Sequence, residues 1–201
     1  MYKKTKKMNA STGDILLFRG DPSSKLDKLI MDVTHSVYSH AALCIKDPWW
    51  GDLPAGTYII QSERTPVDAV EQGERRPGVS MMLLDDGVEG CKVDIRRISV
   101  KKNEAFKQQL AMVHARVHNI PYDTSYWHWA VAGMRAMGLR CFDIPRHEDT
   151  LWCSALVAYI YTELGWLPPT TNWSVMSPQD LAVCDNVVPP ASLGPVEIFK
   201  Q

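Results

Sequence analysis

Cys153 opens the apolar run Trp152-Cys153-Ser154-Ala155-Leu156-Val157-Ala158-Tyr159-Ile160-Tyr161, which predicts a buried helix ending at Gly165. A thiol at a helix start meets the positive end of the helix and backbone N–H groups with no intrahelical partner. Both favour thiolate, and the same N–H groups can bind an oxyanion. A thiol nucleophile needs a partner that stores and returns a proton, and imidazole titrates in the right range. His40, flanked by Ser39 and Ala41, is the candidate, because small neighbours let another element approach. A third group must hold the imidazole in one tautomer. Gln61 and Glu63 fall on one face of the following strand; Glu63 is the electrostatic choice because it stabilises imidazolium, and Gln61 is the neutral alternative.

The other chemistry-bearing residues read differently. Cys44, Cys91, Cys141 and Cys184 complete an odd set of five cysteines with no C-x-x-C pair, which fits an intracellular, reducing compartment such as the cytoplasm. His114 and His118 stand four apart on a helix but lack a third ligand or the Glu of H-E-x-x-H, so neither a metal nor an organic cofactor is expected. Tyr122-Asp123 reads as a helix-stop turn with a buried Tyr, or as a wall of the cleft. Trp49-Trp50 and Trp127-His128-Trp129 read as core, or as a wall for an acyl chain or sugar.

The elements that must position these residues change character along the chain. Short strands are expected at 15–19, 38–45, 57–63, 79–84 and 91–98, with a short helix capped by Ser23 or Ser24 after the first, and a polar Gly/Pro/Arg loop over 64–78. From Lys102 the apolar period becomes helical through Phe106, Leu110, Val113 and Val117. Further helices are expected over 125–137 and 151–164, with a capped turn at Ser177-Pro178-Gln179-Asp180-Leu181 and a last edge strand at 196–199. The fold class is therefore α+β. Residues 1–12 read as a basic flexible tail and 13–201 as a single domain.

The chain has 201 residues and 45% apolar content, enough for one sizeable core. With 22 basic against 23 acidic residues it carries no overall field to recruit nucleic acid. No apolar stretch reaches the roughly 20 residues of a spanning helix. The lysines at 3, 4, 6 and 7 leave only a peripheral, salt-sensitive contact with an anionic surface open.

Five motifs in order, Gly13-Asp14-Ile15-Leu16-Leu17-Phe18-Arg19-Gly20, Tyr38-Ser39-His40-Ala41-Ala42, Pro121-Tyr122-Asp123, Trp152-Cys153-Ser154-Ala155-Leu156-Val157 and Ser177-Pro178-Gln179-Asp180-Leu181, resemble the permuted NlpC/P60 group. That group includes YiiX-like proteins and poxvirus and giant-virus relatives; in it the His strand precedes the Cys helix. The resemblance implies a circularly permuted papain-like fold, with a small antiparallel barrel-like sheet packed on helices. It also implies a Cys-His pair with a third polar residue, acting as a thiol hydrolase or acyltransferase on a peptide, ubiquitin-like or lipid acyl substrate. The pair Gln61-Ser62 stands where the group often has Glu and a small residue, which leaves Glu63 and Gln61 both open. The viral relatives add an alternative role, a structural or binding module of a particle.

Overall fold

The computed structural model describes residues 8–71, 76–125, 131, 134, 146 and 148–198. Six strands, β1 (Ile15–Arg19), β2 (Tyr38–Lys46), β3 (Thr57–Val67), β4 (Arg76–Leu83), β5 (Val93–Ser99) and β6 (Ser192–Ile198), form one antiparallel sheet in the order β4-β3-β2-β1-β5-β6. The helices are α1 (Lys25–Thr34), α2 (Leu84–Gly87), α3 (Glu104–Val117), α4 (Cys153–Glu163) and α5 (Pro178–Val183).

Strand alternation sends side chains to two cores. Ile15, Leu17, Ala41, Leu43, Tyr58 and Ile60 join the larger one with Leu110 of α3 and Leu156 and Ile160 of α4. Leu16, Phe18, Ala42, Cys44 and Ile59 face the other way, onto Leu84 and Ile95. Met8 and Ala10 belong to this second core, at 7% and 2% exposure, and Arg97 Nη1 donates to Asn9 O at 2.8 Å. The packed part of the chain thus begins within the stretch expected as tail, because two apolar side chains there cover the sheet. The four lysines lie outside the described residues.

The sheet is not closed, contrary to the barrel-like form expected. β4 and β6 are its two edges, and the outer side of β4 meets the segment before Tyr122 instead, through Val79 N–H donating to Ile120 O at 2.8 Å. The loop expected over 64–78 is also shorter than its composition suggests. β3 continues to Val67 and β4 starts at Arg76, with Val67 opposite Arg76 and Glu63 opposite Gly78. Gly78 has φ +120°, and an added Cβ would meet the Ile120–Tyr122 backbone, so glycine serves close approach here rather than a loop.

The expected helices at 102–118 and 151–164 appear as α3 and α4. Ser24 caps α1 by accepting from Asp27 N, and Ser177 and Asp180 form a reciprocal capping box at α5. Of the helix expected at 125–137, Val131 is buried and helical, Met134 is helical and Ser125 is not; Trp127, His128, Trp129 and the other residues of that stretch, and Cys141 beyond it, lie outside the described residues.

Candidate active site

β3 places both halves of the site, using alternate faces. Ser62 points to the helical side and its Oγ donates to Leu151 O at 2.6 Å, fixing the chain two residues before Cys153. Leu151 is held further by a parallel bridge to Tyr122, with Leu151 N–H donating to Pro121 O at 3.1 Å and Asp123 N–H donating to Leu151 O at 3.3 Å. On the opposite face of β3, Gln61 and Glu63 reach His40 of β2. Gln61 Oε1 lies 3.0 Å from His40 Nε2, and Glu63 Oε1 3.3 Å from the same atom.

Both neighbours of Nε2 are acceptors, since the Gln61 amide nitrogen is turned to Met82 Sδ at 3.0 Å. Nε2 therefore carries hydrogen, and Nδ1 is the ring position left for Cys153, with which the imidazole also forms a hydrogen bond. Phe18 supports the ring edge-on at 5.0 Å between centroids. Burial acts against the charged imidazole, but the charges of Glu63 and Cys153 and the hydrogen bonds the ring donates to Cys153 and Gln61 outweigh it, raising the imidazole to about 10. Glu63 and Gln61, left open as alternatives, both contact the ring.

The first turn of α4 lies behind Cys153. Trp152 is the N-cap in extended backbone and provides no side-chain capping bond; the first intrahelical bond runs from Leu156 N–H to Trp152 O at 3.0 Å. The N–H groups of Cys153, Ser154 and Ala155 precede that bond, so they are the helix-end donors at the thiol. Ser154 Oγ donates to Met176 O at 2.7 Å and anchors the turn from outside the site. Ser36 Oγ donates to Gln179 Oε1 at 3.0 Å, tying α5 to the approach of the His strand.

Cys153, His40, Gln61 and Glu63 line one cleft of about 390 Å³, together with Tyr122. The Tyr122 hydroxyl is held protonated by burial first, then by the charges of Cys153 and Glu63. Tyr122 is thus part of the cleft wall, whereas Asp123 serves the backbone by accepting from Ser125 N–H at 2.8 Å.

The other described cysteines differ from Cys153 in place. Cys44 is fully buried between strands, and burial pushes its thiol up to about 12; burial also raises Cys184 and Cys91. Cys91 lines the cleft as well, which the sequence did not signal because the turn that carries it has no motif.

His114 and His118 have a third neighbour that spacing on α3 could not reveal. Glu71 Oε2 is 3.0 Å from His114 Nε2 and 3.7 Å from His118 Nε2, while its Oε1 accepts from Trp50 Nε1 at 3.1 Å. Trp50 stacks on His114 at 4.7 Å, and Trp49 Nε1 donates to Lys107 O at 3.0 Å, so both tryptophans pack α3 rather than wall the cleft. Among the described residues, no set of three His, Cys, Asp or Glu side chains is arranged to hold a metal ion. No helix is long and apolar enough to cross a membrane among those residues.

An α+β fold with an open antiparallel sheet packed against helices and a Cys-His cleft at the sheet–helix junction is the class defined by these observations. The same fold occurs in the crystal structure of metalloprotein yiiX from Escherichia coli O157:H7 (DUF1105), with TM-score 0.57 and 18% identity over 94% of this chain and 98% of that one. No family model matches the sequence, and no curated protein matches it.

Proposed function

We propose that the chain is a cysteine-dependent hydrolase or acyltransferase that acts on an amide or ester through a thioester at Cys153, on a permuted papain-like arrangement of the NlpC/P60 kind. The observation that carries this reading is the convergence of Cys153 and His40 in one cleft, with two acceptors on the far ring nitrogen. A ring fixed from behind in this way has one free task, proton exchange with the thiol and the leaving group.

In the proposed reaction the Cys153 proton passes to His40 Nδ1, and the resulting imidazolium is stabilised by Glu63 and Gln61. Sγ attacks the carbonyl carbon, and the oxyanion faces the N–H groups at the start of α4, with the Tyr122 hydroxyl as an added donor from the cleft wall. The C–N or C–O bond breaks as His40 returns its proton to the leaving group. Water, or an acceptor nucleophile, gives up a proton to His40, attacks the thioester and restores the thiol.

The test is mass spectrometry of the intact protein after exposure to a panel of peptide, ubiquitin-like and lipid acyl electrophiles. The expected result is a single acyl adduct on Cys153, missing in Cys153→Ser and formed at least about a hundredfold more slowly in His40→Ala. Adducts spread evenly over Cys91, Cys153 and Cys184 would overturn the assignment.

A further inference from the structure

The cleft lining combines two chemically different sets of residues. Cys153 and Tyr122 belong to one, with the Arg64 guanidinium close enough to the tyrosine to favour its ionised form. The other is carried by β1, β4, α1 and the α2 turn, and joins the apolar side chains Phe18, Leu26, Ile30 and Met82 to the carboxylates Asp27, Asp86 and Glu89. The other cation on the cleft, Arg19, is already committed, with Nε and Nη2 at 2.9 and 2.8 Å from Asp94 Oδ2. Glu63 is likewise committed to His40. Asp27 accepts from Asp21 N–H at 2.9 Å, so what this set offers an incoming group is apolar surface beside the exposed carboxylates of Asp86 and Glu89.

We infer that this part of the cleft is a specificity subsite for a lysine or arginine side chain of the acyl substrate, its stem on the apolar surface and its cation toward Asp86 and Glu89. The inference rests on the thioester reading of the same site and names its substrate class. An apolar acyl chain would suit the apolar surface but would desolvate the carboxylates beside it without replacing their water. An acidic side chain would meet like charge. Only a long side chain with a terminal cation satisfies both parts of the wall.

Three activated esters separate the contributions: the p-nitrophenyl esters of N-acetyl-lysine, N-acetyl-norleucine and N-acetyl-glutamate, which share a leaving group and differ in stem and charge. With the full chain, kcat/KM should fall in that order, lysine over norleucine by about tenfold. That ratio should drop toward one in the double variant Asp86→Asn/Glu89→Gln, while norleucine turnover stays at the wild-type level. Equal rates for lysine and norleucine, or a lysine preference unchanged in the double variant, would overturn the subsite and leave the thioester chemistry standing. Failure of all three esters to acylate Cys153, read by mass spectrometry of the quenched protein, would overturn the chemistry itself and the subsite with it.

Discussion

At the residue scale, His40 governs the pH behaviour. Its imidazole is raised to about 10 from an ordinary value near 6.5, so the folded chain keeps this proton where the unfolded chain has lost it. The stabilisation from its partners is fully present below pH 6.5 and is lost as pH rises through about 10. Thermal unfolding of the wild type and of Glu63→Gln should therefore diverge most at or below pH 6.5 and converge toward pH 10. An upward move of the gap with pH would contradict the ion pair. In kcat/KM profiles, the alkaline limb should sit near pH 10 for the wild type and lower in Glu63→Gln. Cys153 should also be alkylated by iodoacetamide before Cys44 and Cys184, whose raised and buried thiols hold little thiolate at neutral pH. Peptide mapping of a time course measures the order. In the sequence, the helix start at Cys153 and the small neighbours of His40 are weak marks singly, and it was their place in an ordered set of motifs that made the two residues the candidates. The sequence could not choose between Gln61 and Glu63, since alternation fixes a face but not a distance.

At the element scale, β3 is the part on which the site depends. Ser62 and the pair Gln61 and Glu63 use opposite faces, so a one-residue slip would exchange anchor and orienters and leave both functions unserved. Ser62→Ala removes the 2.6 Å donor from the Leu151 carbonyl and leaves it the Asp123 N–H; a loss of about 0.5–1.5 kcal/mol in chemical denaturation is expected. Because Leu151 leads directly into α4, reactivity of Cys153 should fall with it. Gly78→Ala should be costlier than an ordinary strand substitution, since φ is +120° and the Ile120–Tyr122 backbone occupies the space. The capping motifs of α1 and α5 were legible from Ser24 and Ser177 because caps are local chemistry. The strands of β3 and β4 were legible over 57–63 and 79–84, but their extension to Val67 and Arg76 was not, because its Gly/Pro/Arg composition reads as loop until Ile120 is brought against Val79 by folding.

At the scale of the whole molecule, the α+β order was readable from the change in apolar period near Lys102, and the six strands expected correspond to the six of the sheet. Openness of the sheet was not, because closure depends on which edges meet and no local pattern encodes that. The Glu71 contact with His114 and His118 escaped for the same reason: it joins a segment after β3 to α3 across the fold. The uncapped start of α4 has a further consequence. A Ser, Thr, Asp or Asn at position 152 would complete the helix and is ordinarily worth about 0.5–2 kcal/mol, yet its side chain would take the N–H groups on which the proposed oxyanion depends. Trp152 is itself part of the larger core, and replacing it would forfeit packing ordinarily worth about 3–5 kcal/mol, more than the cap adds, so the buried indole serves stability and the oxyanion donors at one position.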